Sequence, residues 1–441
     1  MSDAVAGVAT GHGSTIARRG RRATGMTADE TVAAAPPSRL DIGALLAAAE
    51  AASPVDAIEA VADALKAMID VERVSFLIAD FSGDSLIRLG HSSQRPVTRR
   101  AGRETADRVA LAGTPHGRAL RRQTVEVVED DAGAWLYAPV TSRGEAVGVL
   151  ELRVPSRPDE KTVAEIARAG HALAYIVIAN RRYTDLFEWG QRSVPLSLAA
   201  EIQHRLLPGS YTCEGGQFTL AAWLEPAGEV GGDTFDFALG RDKLFFSITD
   251  AMGHTVNAAL LATLMIGSIR NGRRQNADLA EQAALADEAL STHAGRSQFV
   301  TGQIACVDLT TGAATIVNAG HPPPLRLRGG VVDEVPLEAD PPFGAVPNST
   351  FHIQTLPLEP GDRLLFVTDG VLERDAANAD ILGVLAASRD DHPREAVQHV
   401  IQAAMRASGD ALGDDATALC LDWHGGPPRE RQANSGANEL G

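Results

Sequence analysis

Cysteine is scarce in this 441-residue chain: there are three, Cys213, Cys306 and Cys420. They are far apart, odd in number and without metal-ligand spacing. No disulfide framework is encoded, and the expected state is reduced, mostly buried thiols of a cytosolic protein. Long apolar runs are also missing. The longest near the middle, Ala172 to Ala179, falls far short of the ~20 residues a spanning helix needs, so no membrane insertion is expected. Positive charge is in deficit: 57 Asp and Glu against 40 Lys and Arg give a formal net charge of −17. Such a balance argues against nucleic acid as the main partner, because phosphate contacts need clustered cations. It argues more weakly against anionic membranes. The basic cluster Arg18-Arg19-Gly20-Arg21-Arg22 is followed by no apolar h-region, so a twin-arginine export signal is rejected, and either Met1 or Met26 could be the start. A Gly-rich Walker loop is absent, a mild argument against a nucleotide substrate.

What is present is ordinary globular material, 44 % hydrophobic and 22 % charged. The length predicts two or three domains. Residues 1–40 are Gly-, Ala-, Thr- and Arg-rich, lack an apolar period and read as a disordered arm. From Leu40, apolar residues recur at helical spacing through Ile69. Strands are expected at Val71 to Asp80, Ser85 to Leu89 and Thr124 to Val128, with a short helix at Thr114 to Arg121. Trp135 to Val154 reads as a hairpin turning at Ser142-Arg143-Gly144-Glu145, its return strand fully apolar like a central strand. Pro158 to Asn180 reads as an amphipathic closing helix.

Residues 41–180 thus form a helix–sheet–helix α+β layout. The segment Ala138-Pro139-Val140 with Arg143-Gly144-Glu145-Ala146-Val147-Gly148-Val149-Leu150 resembles the hairpin of GAF sensor domains. That resemblance implies a small-molecule or protein signal of unknown identity. No Cys lies in this stretch, which excludes a thioether-linked bilin. His91 and His116 are the candidates for haem ligation, but isolated histidines are more often surface or loop residues. Residues 181–207 are expected to be a helical signalling linker. Leu186, Phe187, Trp189, Leu198, Ile202 and Leu206 stand at near-heptad spacing, interrupted by Pro195. Packing within its own domain is one reading; a homodimer seam is the favoured one, because large apolar side chains on a linker otherwise have nowhere to bury.

Residues 208–424 alternate strands with two long helical stretches, Val256 to Asn271 and Ala277 to Ala294, and add a late helix, Pro393 to Ser408. Many antiparallel strands with two helices inserted predict two sheets covered by helices. Acidic residues stand at strand ends or turns: Asp233 after Gly231-Gly232, Asp250 before Ala251-Met252-Gly253-His254, Asp369 before Gly370, and Asp414-Asp415 before the last strand. Any one of them alone reads as a turn or bulge. Four together, with no competing His or Cys set, read as oxygen ligands for Mg²⁺ or Mn²⁺. Residues 425–441, Pro-, Gly- and Asn-rich, read as a disordered tail.

In family order these motifs resemble the SpoIIE branch of the PPM (PP2C-like) serine/threonine phosphatases. The matching stretches are Ile202-Gln203 with Leu206-Leu207-Pro208, Gly231-Gly232-Asp233 with Asp236, Asp250-Ala251-Met252-Gly253-His254, Asn318-Ala319-Gly320-His321-Pro322, Thr368-Asp369-Gly370-Val371 and Asp414-Asp415-Ala416-Thr417. The resemblance implies a PP2C-like β-sandwich flanked by helices and two metal ions. Asp250 would bridge them, the Ala251 carbonyl and Asp233 would serve one, and Asp369 and Asp414 the other. Asp414 is preferred to Asp415 for its register before the Thr. Two cations would lower the pKa of a bridging water and neutralise the phosphoryl oxygens, so no phosphoenzyme is expected. Second-tier candidates are Asp415, Gly232, Gly253, His254 and Gly370. His254 and His321 are possible general acids, although fixing a turn is the commoner role of such histidines. Thr234 and Thr255 depart from the family pattern. The implied whole is a cytoplasmic phosphatase acting on a phosphorylated STAS-type anti-sigma-factor antagonist under control of the sensor. The alternatives are a degenerate phosphatase scaffold serving as a binding module and a metal-dependent hydrolase of small phosphoesters.

Overall fold

The computed structural model describes residues 40–80, 83–89, 107–191, 197–227, 231–253, 256–293, 298–372, 378–409 and 412–427. The expectations for the N-terminal arm, the tail, His91, Pro195, His254 and Thr255 lie outside these residues.

The first half opens with α1 (Ile42–Ala51) and α2 (Ala57–Met68). Asp41 caps α1 by accepting a hydrogen bond from the Ala44 N–H at 3.2 Å. Strands β1 (Arg73–Ala79), β2 (Ser85–Leu89) and β3 (Arg108–Ala110) follow, then α3 (Pro115–Arg122). Thr114 caps α3, with Pro115 in its first turn, where the missing N–H costs nothing. Strands β4 (Glu126–Asp130), β5 (Gly133–Ser142) and β6 (Glu145–Val154) lead to the 21-residue α4 (Glu160–Asn180). The six strands form one antiparallel sheet in the order β3-β2-β1-β6-β5-β4. β6 is central and nearly continuously buried, as its apolar sequence requires. On one face Phe76, Leu136, Leu152, Ile166 and Leu173 join the sheet to α1, α2 and α4. By length and composition α4 could cross a membrane, and 44 % of its apolar window is buried inside the protein.

The linker is not one helix. It contains α5 (Leu186–Gly190) and α6 (Leu198–Leu206). Phe187 is buried in the N-terminal core, while Trp189 and Leu198 are 40 % and 66 % exposed. The expected seam is therefore split, its first part packing into its own domain.

The second half contains β7 (Thr212–Glu214), β8 (Phe218–Glu225), β9 (Asp233–Leu239) and β10 (Lys243–Ala251), followed by α7 (Val256–Arg274) and α8 (Leu279–His293). After these come β11 (Val300–Asp308), β12 (Ala314–Ala319), β13 (Leu325–Arg328), β14 (Val331–Glu334), β15 (Gln354–Leu356) and β16 (Asp362–Val367). The chain ends this half with α9 (Asp369–Leu372), α10 (Ile381–Ala387), α11 (Pro393–Ala407) and β17 (Ala416–Trp423). A five-stranded sheet, β15-β12-β11-β10-β9, faces a six-stranded one, β14-β13-β16-β17-β8-β7. Phe218, Phe235, Phe246, Ile316, Phe366 and Leu419 fill the space between them, with Phe246 and Phe366 edge to face at 5.1 Å. α7 and α8 cover the outer face of the first sheet, and α10 and α11 that of the second.

β15 starts only at Gln354. Upstream, the His352 N–H and ring bond the Asp340 carboxylate and Phe351 packs on Phe343, so side chains hold this stretch instead of a ladder. The β5–β6 turn joins the halves. Arg143 and Gly144 both have positive φ, the twist a tight hairpin favours. The Arg143 carbonyl accepts from the Glu214 N–H at 3.1 Å. The buried Arg394 guanidinium donates to the carbonyls of Gly144 and Leu120 at 2.5 and 3.2 Å.

His116 departs from the surface or loop position expected of it. At the start of α3 it is buried, with Nε2 2.9 Å from Glu151, whose other oxygen accepts from Arg88. Burial alone would raise the Glu151 carboxyl, but the His116 and Arg88 hydrogen bonds outweigh it and hold it down at about 2.

Candidate functional site

Register brings the acidic residues to one end of the sandwich. β9 and β10 are antiparallel with Asp233 opposite Asp250, and Thr301 of β11 stands on the other side of Asp250. In the facing sheet β16 pairs with β17, and the Thr368 N–H continues the ladder to the Thr417 carbonyl at 3.1 Å. Asp369, just past β16, and Asp414-Asp415, just before β17, therefore share an end. Asp233 ties the sheets together: its Oδ2 accepts from the hydroxyls of Thr368 and Thr417 at 2.7 and 2.6 Å.

Two glycines permit this approach. A Cβ on Gly232 would lie 2.6 Å from the Ala251 carbonyl oxygen, and one on Gly370 would lie 2.0 Å from that of Asp415. Gly253 has φ +99°, which lets the chain turn away after Ala251.

Asp415 is fully committed. Its oxygens accept from the Ala227 and Gly232 N–H groups at 2.9 and 3.2 Å and from the Gln203 amide at 2.6 Å. That leaves Asp414, which is half-buried, as the acid of this pair with a face toward solvent. Gln203 of α6 also donates to the Asp233 carbonyl at 2.8 Å, so the linker helix touches both sides of the site. Asp236 accepts from Arg270 and Arg273 of α7, and Arg270 also donates to the Leu206 carbonyl. Thr234 is spent on a 2.5 Å hydrogen bond with Thr249 in the neighbouring strand, which accounts for a small hydroxyl residue at this position.

The electrostatics are those of unpaid repulsion. Burial, then Asp369, Asp414 and Asp415, push the Asp250 carboxyl up to about 7. Burial, with Asp250 and Asp415 nearby, raises Asp233 well above the usual carboxylate range. His321 is buried, hydrogen-bonded to Thr301 at 3.2 Å and lowered by burial to about 3, so it is neutral near pH 7 and carries no acidic proton to give.

Among the described residues, no three His, Cys, Asp or Glu side chains converge tightly enough to cage a metal by themselves. The donors fit a hard divalent cation nonetheless. They are carboxylate and carbonyl oxygens, and Mg²⁺ takes one or two carboxylates while keeping several waters. Their mutual repulsion is what a cation relieves. Sequence reasoning brought out Asp233, Asp250, Asp369, Asp414 and their glycines. It gave no role to Gln203, Thr368 or Thr417, whose contacts span up to 212 positions. The Gln203 signal was present in the Ile202-Gln203 motif.

Residues 240–424 match the family described as Stage II sporulation protein E (SpoIIE). Protein IcfG of Synechocystis sp. is 27 % identical over 222 residues, covering 44 % of this chain and 35 % of that relative, so the chain spans about a third of its length. Among solved structures, the RsbU and RsbW domains of a Mycobacterium tuberculosis protein share 25 % identity over 48 % of this chain and 62 % of theirs, with a TM-score of 0.42. The SpoIIE phosphatase domain with a regulatory fragment from Bacillus subtilis shares 19 % over 48 % and 65 %, with a TM-score of 0.43. The SiaA PP2C domain of Pseudomonas aeruginosa shares 19 % over 51 % and 93 %, with a TM-score of 0.44. The match to the SpoIIE family thus falls on the stretch that carries Asp250, Asp369 and Asp414.

Proposed function

We propose that this protein is a metal-dependent protein serine/threonine phosphatase whose substrate is a phosphorylated STAS-type anti-sigma-factor antagonist. The observation that carries the reading is the gathering of strand-end aspartates at one end of the sandwich, with Asp250 pushed up to about 7 by burial and by its acidic neighbours. In this reading Asp250, Asp233 and the Ala251 carbonyl would hold one Mn²⁺ or Mg²⁺, and Asp250, Asp369 and Asp414 would hold the other. Bound there, the ions supply an activated water at neutral pH and charge neutralisation for the phosphoryl oxygens. The chain's own part is positional. Thr368 and Thr417 fix the Asp233 carboxylate, Asp415 fixes the Gly232 turn, and Gly232 and Gly370 allow the backbones to close.

Control by the first half is part of the proposal. Its helix–sheet–helix layout supports a sensor of GAF type at residues 41–180, and the Gln203 contacts support transmission through the linker to the Asp233 and Asp415 loops. Exposed Trp189 and Leu198 support a homodimer through the linker. The proposed location is the cytoplasm. Mn²⁺-dependent release of phosphate from a phosphorylated STAS protein, with Asp250→Ala as control, tests the reading. Release from p-nitrophenyl phosphate alone would favour a small-phosphoester hydrolase, and none at all a degenerate scaffold. Identical kinetics with and without residues 1–180 would remove the coupling.

A further inference from the structure

A cleft of about 850 Å³ lies away from the aspartates, between the N-terminal domain, the linker and the second half. Its size is that of a small-molecule site. Its walls include the turn after β1, the C-terminal part of α3, residues Arg181 to Gln191, the end of α6, Trp223 of β8 and one face of α11. The junction contacts of Arg394 and Glu145 hold these walls: Glu145 accepts from the Tyr211 N–H at 3.1 Å.

Most charges in the cleft are committed. Arg205 forms a two-pronged pair with Glu188, Arg394 is spent on carbonyls and Glu395, Asp84 pairs with Arg108, and Arg181 donates to the Gly209 carbonyl. Two guanidiniums remain. Among the described residues Arg121 of α3 and Arg182 of the linker have no ion pair or hydrogen-bonded acceptor, and both are exposed on the cleft wall. A planar guanidinium fork matches phosphate and carboxylate oxygens, and two such forks match the double negative charge of a phosphate monoester. Beside them Tyr183 is 75 % exposed, an uncovered ring on the same wall, and Gln398 and Gln402 present amide groups from α11. Cations for a phosphate, an open aromatic face for stacking and amides for a polar ring edge define one chemistry.

We infer that this cleft binds a phosphate ester of a planar ring system, held by Arg121 and Arg182 and stacked on Tyr183. The site is separate from the aspartates and does not depend on the phosphatase reading. Its walls come from both halves and end at His204, next to Gln203, so an occupant bears on the helix that touches the Asp233 and Asp415 loops.

Isothermal titration of the full chain with AMP, phenyl phosphate and inorganic phosphate tests it, with Asp250→Ala titrated in parallel to set aside binding at the aspartates. The expected result is that a ring-bearing ester binds more tightly than inorganic phosphate, equally in Asp250→Ala. Affinity should drop at least tenfold in Arg121→Ala/Arg182→Ala and several-fold in Tyr183→Ala. These three side chains are exposed, so folding should persist, with an unchanged circular dichroism melt as the check. No binding of either ester, or binding unchanged in the double-arginine variant, overturns the inference.

Discussion

Glu151 and Asp250 are both carboxylates on sheet strands, largely removed from water, and they are held in opposite ways. Glu151 meets Arg88 and His116 and is drawn down to about 2. Asp250 meets Asp369, Asp414 and Asp415 and is driven up to about 7. A buried charge with its partners in place is a structural group. A buried carboxylate among like charges is one that a cation supplied from outside would stabilise. The difference separates the part of this molecule that stores stability from the part that gives it up for chemistry.

The largest effects should break the comparison from the Glu151 side. Glu151→Ala leaves the Arg88 charge buried without its partner, a loss of about 3–5 kcal/mol by the usual cost of splitting such pairs. Chemical denaturation followed by tryptophan fluorescence should report it, with divalent-metal affinity unchanged. The same carboxylate predicts a direction with pH. Its folded pKa is depressed, so its contribution is complete above the unfolded value and is lost as pH falls from about 5 toward 2. Glu151→Gln should flatten that acid limb.

From the Asp250 side the sign reverses. Mn²⁺ or Mg²⁺ at a hundredfold excess over its dissociation constant should stabilise the chain by about 2.7 kcal/mol. Asp250→Ala should abolish this shift while leaving the metal-free melt as high as wild type or higher, because a repelling charge is gone. A metal-free variant markedly less stable than wild type would place Asp250 with Glu151 as a structural group.

Gln203→Ala sharpens the link between the two halves. It strips a donor from the buried Asp415, a penalty of about 1–3 kcal/mol that should appear as a higher Mn²⁺ requirement for turnover. Gly144→Ala is the mildest. At φ +81°, with its new methyl 2.8 Å from Glu214, it should cost about 1–2 kcal/mol and make the junction more sensitive to protease.

The fold was legible wherever a local pattern sufficed. Ser85–Leu89 was bounded by a turn and proved to be a strand with those limits, and the Arg143-Gly144 turn announced its hairpin. Short elements held by neighbours, β3, β7, β14 and α10, left no period to read. α10 carries Gly383 in a seven-residue span and relies on Asp380 as its cap. The linker read as a seam because its apolar spacing resumes after Pro195, yet the fold packs Gly190 against Leu89 and buries Phe187 in the first domain. In the site, the aspartates showed themselves through strand-end glycines. The Thr368–Asp233–Thr417 brace could not, because it joins residues far apart in sequence, and the Ile202-Gln203 motif marked Gln203 without showing which residues it would bond.

The most direct test of the account is phosphate release from a phosphorylated STAS-type protein, measured against Mn²⁺ concentration for wild type and Asp250→Ala. The account predicts release that requires the metal and falls by about 10³-fold or more in the variant, several kcal/mol of transition-state stabilisation. Equal release by the variant, or release by wild type with the metal chelated, would contradict it.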